Sequence, residues 1–371
     1  MIIGVPKEIK VHEYRVGMVP ASVCEAVAHG HKVYVESNAG VGIGFSDQDY
    51  IEAGAQILST AEAVFAESDM IVKVKEPQAK ECRMLRDGQL LFTYLHLAPD
   101  PEQTHALMES KAICIAYETV TDEHGRLPLL APMSEVAGRM SIQAGAFSLE
   151  KSRGGSGMLL GGVPGVEPAN VVIIGGGVVG ANAAQIAVGM RANVVVLDRN
   201  IDVLRQLDNQ FAGKVRCVYS TQDAIEKHVL EADLVIGGVL VAGAAAPKLV
   251  TAEMVRMMKP GSAIVDVAID QGGCVETSHP TTHSDPTYIV DNVVHYCVAN
   301  MPGAVARTST FALNNVTLPY ILTLADKGYK AALKEDKYLM KGLNVYQGKI
   351  TCEQVSMALN LPYHDPYKII V

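Results

Sequence analysis

This 371-residue chain has no tryptophan, no excess of basic charge, no CxxC pair and no long apolar run. Hydrophobic residues make up 49% of it, yet apolar stretches such as 239–246 fall well short of the ~20 residues that a membrane-spanning helix needs. Thirty-one Lys and Arg stand against 40 Asp and Glu, a formal charge of −9, without any basic cluster. That balance argues against nucleic acid or an acidic lipid surface as partner. Seven cysteines, an odd number without paired spacing, read as reduced thiols. Lys7 and Glu8 stand where a secretory leader would carry its apolar region. The expectation is a soluble cytoplasmic protein with no membrane and no nucleic-acid partner.

What is present is a rhythm. Short Val/Ile-rich segments recur every 20–30 residues with amphipathic stretches between them, the pattern of βαβ units and parallel sheets. In the N-terminal third the candidate strands are 2–5, 32–36, 69–75, 89–97 and 112–120. Segment 121–130 reads as a turn-rich exit, and a helix is expected from Ser134. After a Gly/Pro loop, GGSGMLLGGVPGVEP, the rhythm restarts with strands at 170–174, 193–198, 215–220, 233–239 and 262–270, then shorter pieces at 288–290 and 293–298. A largely apolar helix pattern over 308–327 contains Pro319, which predicts a kink. The last forty residues are too few for a domain and are expected to pack on the first one. The fold class is therefore α/β, with two halves built on parallel sheets, the second inserted between the first and its C-terminal tail.

VVIIGGGVVG places G-x-G-x-x-G directly after a buried-strand run and before a helix pattern. Gly175 allows the tight turn, Gly177 lets backbone approach a pyrophosphate, and Gly180 permits close helix–strand packing, with Val178 and Val179 opening the helix. Asp198 ends the next strand, where a carboxylate accepts ribose hydroxyls and repels a 2′-phosphate, so the expected cofactor is NAD. Arg199 beside it leaves some NADP use open. A second glycine-rich stretch, Gly40–Phe45, has Phe45 at the last glycine position and reads as a loop.

Ligands of open parallel sheets bind beyond the carboxyl ends of the strands. Lys75, His96 and Glu118 stand at or near such ends in the first half, Arg15 in the loop after the first strand, and Asp270 in the second half. Lys73 alternates with Lys75, and one of the two is expected to be a solvated or edge lysine. His96 could be a satisfied core histidine, Arg15 in its polar loop could be a surface residue, and Asp266 could be a structural carboxylate. His279 and His283 are spaced for one helix face, but Pro280 breaks that helix, so no metal site is expected.

Several motifs together carry a family resemblance: GVPKEIKVHEYRVGMVP, VKVKEP, FTYLHLAP, LPLLAPMSEVAGR, GGVPGVEP, APKLV, IVDVAIDQGGC and CVANMPGAVARTST. Along nearly its whole length the chain resembles NAD-dependent alanine dehydrogenases, with the NAD-binding subunit of proton-translocating transhydrogenase as a sibling. The resemblance implies two Rossmann-like doubly wound parallel-sheet domains with a cleft between them: a discontinuous substrate domain, 1–129 plus 307–371, and an inserted NAD-binding domain, 130–306. It also implies reversible oxidative deamination of L-alanine to pyruvate and ammonium. It implies that Arg15 and Lys75 hold the substrate carboxylate and carbonyl oxygen, that His96 is the acid–base group, and that Asp270 assists proton transfer. Ser134, Asp198, Ser220, Val239, Leu240, the run Val267, Ala268, Ile269 and Asp270, and the run Val298, Ala299, Asn300 and Met301 match positions that surround NAD. Val203 stands where a basic residue near the adenosine would be expected. The family is typically homohexameric. Two other readings are a transhydrogenase subunit, which needs no amino-acid site, and a catalytically silent NAD-sensing module.

Overall fold

The computed structural model describes residues 1–239 and 246–370. They form two compact units, Met1–Met133 with Gly303–Val371, and Ser134–Pro302. The divisions fall four residues inside the sequence-derived second domain at each end. The first lies within a helix, Ala131–Ser148, which starts three residues before Ser134.

In chain order, the strands of the first unit are β1 (Ile2–Val5), β2 (Lys32–Glu36), β3 (Gln56–Leu58), β4 (Met70–Val72), β5 (Leu90–Thr93) and β6 (Ile113–Ala116). The second unit carries β7 (Asn170–Ile174), β8 (Asn193–Asp198), β9 (Val215–Tyr219), β10 (Leu234–Gly237), β11 (Ala263–Asp266), β12 (Thr287–Val290) and β13 (Val293–Tyr296). The chain then returns to the first unit with β14 (Leu343–Tyr346) and β15 (Lys349–Ile350).

The first sheet runs β15-β14-β6-β5-β4-β1-β2-β3, parallel except where β14 pairs antiparallel with β6 and with β15. The second runs β12-β13-β11-β10-β7-β8-β9, parallel except for β12 on β13. Each sheet therefore reverses its strand order once, between β1 and β4 in the first and between β7 and β10 in the second. At such a switch point the crossover helices diverge to opposite faces and leave a crevice at the strand ends.

Burial on both faces explains the unbroken apolar strands. In β7, Val171 and Ile173 pack into one hydrophobic cluster, while Val172 and Ile174 pack into another on the opposite face. Helix starts are set locally. Thr221 and Thr251 accept the N–H groups of Ala224 and Met254, and Asp100 accepts that of Gln103 ahead of Pro101.

The C-terminal segment is locked to the first unit by the helix Ala306–Lys327, which continues through Pro319. Its buried Asn314 accepts from Val19 N–H (2.8 Å) and Ser22 Oγ (3.1 Å) and donates to the Gly17 carbonyl (3.2 Å). No helix among the described residues is long and apolar enough to cross a membrane.

Candidate functional site

In the first unit, Arg15 follows β1, Lys75 follows β4, His96 follows β5 and Glu118 follows β6. These four strands are neighbours in the sheet and all run in the same direction. The side chains are thus gathered along one sheet edge, with Arg15 and Lys75 on either side of the switch point.

Arg15 is buried, not a surface residue, at 2% exposure. Its Nε and Nη2 donate to the two oxygens of Glu13 at 2.7 and 2.6 Å, a forked pair, and Nη1 donates to Met133 Sδ at 3.1 Å. Burial alone would lower its pKa; the Glu13 carboxylate outweighs that and the net shift is upward. The guanidinium is held charged and in a single plane.

Strand β4 ends at Val72, so Lys75 lies three residues beyond it, not at its end. Its Nζ stands 3.6 Å from Glu76 Oε2. Burial would raise the Glu76 pKa, but Lys75 and Lys10 outweigh it and hold this carboxyl below its ordinary range. Neither lysine is freely solvated; the Lys75 side chain, just beyond β4, is 14% exposed. Lys73 is fully buried, with Nζ 3.1 Å from Glu8 Oε2 and 2.7 Å from Glu81 Oε1. Two carboxylates compensate what one ammonium loses on leaving water.

His96 likewise lies past its strand, since β5 ends at Thr93. Its backbone is left-handed, φ +49°, and its N–H donates to Glu118 Oε1 at 2.6 Å. The imidazole is 39% exposed and stacks on the Tyr94 ring at 5.8 Å with 10° between planes, so it is not a core histidine. Tyr94 Oη donates to the Leu129 carbonyl at 2.6 Å, and burial pushes its pKa up, which keeps it a phenol. Tyr94, Glu8 and Glu13 were not foreseen as site residues. Two glutamates that precede Arg15 in the loop after β1 were the available signal.

In the second unit, Gly175 has φ +96°, and a Cβ there would lie 2.9 Å from the Gly238 carbonyl. A Cβ on Gly180 would lie 1.8 Å from the Gly175 carbonyl, so helix and strand meet there at backbone distance. A Cβ on Gly177 would meet nothing within 4 Å. Open space therefore lies directly before the helix Val178–Gly189, whose first-turn N–H groups suit a phosphate. Asp198 Oδ2 accepts Gly176 N–H and Oδ1 accepts Asn200 N–H, both at 2.7 Å, so the carboxylate also ties the glycine loop to β8. These residues fit a dinucleotide.

Several of the other expected residues follow strands of this sheet. Ser220 follows β9 and donates its N–H to the Asp198 carbonyl (3.0 Å). Val239 follows β10. Val267, Ala268, Ile269 and Asp270 form a 3₁₀ turn, Val267–Gln271, after β11. Asp270 thus lies in that turn rather than ending a strand, because β11 stops at Asp266. Asp266 is buried and accepts the N–H groups of Cys274 (3.3 Å) and Val275 (3.1 Å), a structural carboxylate. Val298, Ala299 and Asn300 follow β13, where His283 Nε2 donates to the Asn300 carbonyl at 2.8 Å. Met301 is buried at the start of the turn Met301–Val305. Ser134 lies in the first turn of Ala131–Ser148. Leu240 lies outside the described residues. No group of three or more His, Cys, Asp or Glu able to hold a metal occurs among the described residues.

Two family models match the chain: "Alanine dehydrogenase/PNT, N-terminal domain" over residues 4–137 and "Alanine dehydrogenase/PNT, C-terminal domain" over 141–353. The alanine dehydrogenase of Halomonas elongata is 58% identical over 370 residues, covering 100% of both chains. A solved L-alanine dehydrogenase matches with a TM-score of 0.94 at 54% identity, covering 97% of this chain and 99% of that one. A transhydrogenase structure from Sinorhizobium meliloti matches in fold, with a TM-score of 0.80 at 24% identity, covering 95% and 99%.

Proposed function

The chain belongs to the alanine dehydrogenase/PNT family, and from that premise we propose that it catalyses the reversible NAD-dependent oxidative deamination of L-alanine to pyruvate and ammonium. The observation that carries this reading is the full-length likeness to alanine dehydrogenases, at 58% and 54% identity. The transhydrogenase likeness, at 24%, extends to the fold. A substrate half with a buried Arg, a Lys and a histidine at one sheet edge also goes beyond what a silent NAD-sensing module needs.

Gly175, Gly177 and Gly180, the start of the helix Val178–Gly189 and Asp198 would hold NAD, with Ser134, Ser220, Val239, Leu240, 267–270 and 298–301 around it. NAD bound there supplies the acceptor for the hydride that leaves Cα of alanine. Arg15 and Lys75 bind the substrate carboxylate and carbonyl oxygen. Arg15 arrives already oriented by Glu13, which reduces the ordering cost of the encounter. His96 takes a proton from the water that attacks the iminium carbon and returns it to the nitrogen. Ammonia then leaves as the C–N bond breaks, and the hydroxyl proton lost as the carbonyl of pyruvate forms converts it to ammonium. Asp270 supports that proton transfer. A cytoplasmic homo-oligomer, a hexamer by resemblance, belongs to the same proposal.

The test is NADH absorbance with L-alanine, and in reverse with pyruvate plus ammonium. Turnover is expected in both directions, with His96→Ala lowering kcat by ~10²–10⁴-fold. Absence of turnover with either substrate set overturns the reading. A stable monomer by light scattering overturns the oligomer.

A further inference from the structure

Residues 73–75 lie beyond the last regular residue of β4, yet their backbone polar groups are fully partnered. Lys73 N–H donates to the Phe92 carbonyl (3.2 Å), and the Lys73 carbonyl accepts from Tyr117 Oη (3.0 Å). Val74 N–H donates to Glu8 Oε1 (2.7 Å), and its carbonyl accepts Tyr94 N–H (3.3 Å). Lys75 N–H reaches the same Glu8 oxygen (3.3 Å), and its carbonyl accepts from Thr93 Oγ1 (3.0 Å).

Glu8 supplies two of these six bonds and comes from the loop after β1, 67 positions before Lys75. Its other oxygen is held by Lys73 Nζ, which Glu81 grips from the far side (2.7 Å). Glu81 Oε2 in turn accepts Gln78 N–H (2.8 Å). Side chains of Glu8, Lys73 and Glu81 are at most 2% exposed. A buried ion cluster of this kind contributes little net stability compared with an apolar core, but it permits only one arrangement of its members. The neighbour it arranges is the backbone of Lys75.

We propose that Glu8, anchored by the buried Lys73–Glu81 pair, is a positioning residue for substrate binding: it sets the backbone from which Lys75 reaches the substrate. This rests on the assignment of Lys75 to the substrate carboxylate and carbonyl. Glu8 itself touches no reacting atom and acts through Lys75.

A double-variant cycle tests it on the whole enzyme. Glu8→Ala is expected to lower kcat/KM for pyruvate by at least about tenfold, mainly through KM, as a displaced orienting group does. NADH binding, read by fluorescence titration, should stay native. Glu8→Gln keeps an oxygen acceptor for the two N–H groups and should recover part of the loss. In a Lys75→Ala background, Glu8→Ala should change kcat/KM by no more than about twofold, because the group it positions is gone. Multiplying losses in the double variant, or native kcat/KM in Glu8→Ala, overturns the proposal and leaves the Lys75 assignment standing. Native kcat/KM in Lys75→Ala alone overturns the Lys75 assignment and this proposal with it. If Glu8→Ala does not fold, the cycle is run with Glu8→Gln. A partial loss that vanishes in the Lys75→Ala background supports the proposal, and one that multiplies overturns it.

Discussion

Glu118 Oε1 accepts the backbone N–H of His96 at 2.6 Å, at a residue held in the left-handed region with φ +49°. Leu95 N–H lies 3.2 Å from both oxygens of the same carboxylate. A left-handed non-glycine residue costs on the order of 1–3 kcal/mol and persists only when its surroundings impose it. Glu118→Ala should therefore let residues 95–96 relax and move the imidazole. We expect kcat to fall by up to ~100-fold while NADH affinity stays native. Steady-state kinetics beside a fluorescence titration decide the point, and native kcat would show that Glu118 does not hold His96.

The fingerprint glycines should separate folding from binding. Gly180→Ala puts a methyl 1.8 Å from a backbone carbonyl, which cannot yield like a side chain, so the second unit should lose several kcal/mol of stability. Gly177→Ala meets nothing within 4 Å and should fold with a near-native melting temperature. Its methyl would stand where a pyrophosphate must approach, so NADH affinity should drop. Equal thermal losses for the two variants would contradict this division.

If Asp198 faces the ribose as proposed, Asp198→Gly removes a carboxylate that would repel a 2′-phosphate and should shift the ratio of kcat/KM for NADP over NAD upward. Absolute NAD efficiency should fall as well, because the variant also frees the N–H groups of Gly176 and Asn200. An unchanged cofactor ratio would mean that Asp198 serves the loop and not the ribose.

Lys73→Met leaves Glu8 and Glu81 buried without their cation and should cost about 3–5 kcal/mol in chemical denaturation near neutral pH. The pH dependence has a definite sign. Burial raises the Glu8 pKa, and Lys73 only partly restores it. A carboxyl whose folded pKa is raised favours the folded state most when protonated, below its unfolded value of 4.5, and loses that contribution as pH rises through the folded pKa. Removing Lys73 sharpens this, so the deficit should shrink as pH falls toward 4.5. A deficit that grows on acidification would refute the ionised cluster.

The central parallel strands of both sheets were legible from the recurrence of Val/Ile runs, because a parallel strand buried on two faces must be apolar throughout, whereas the short outer strands β3, β14 and β15 were not. The glycine fingerprint was legible because backbone contacts such as that between Gly180 and Gly175 tolerate no side chain. Arg15, Lys75, His96 and Asp270 stood out as candidates because ligands of a parallel sheet bind past its strand ends, and the family resemblance supplied the roles proposed for them. The strand ends themselves were placed too late, at Lys75, Leu97 and Asp270 instead of Val72, Thr93 and Asp266. Apolar character runs on past the last ladder bond, and nothing in composition marks where the backbone turns away.

What the sequence by itself determined is the layout: alternating strands and helices, a tight glycine turn between strand and helix in the second unit, and a set of polar residues just past strand ends. Only the tertiary structure decided which lysine is buried. Lys73 and Lys75 share parity, charge and apolar neighbours along the chain. Their fates diverge because Glu8, 65 positions away from Lys73, and Glu81 close around one ammonium and leave the other near Glu76. Arg15 was open in the same way, since a polar loop reads as surface until Glu13 and Met133 enclose its guanidinium. Burying a charge is favourable only when its partners converge on it, and that convergence comes from how the strands are ordered in the sheet.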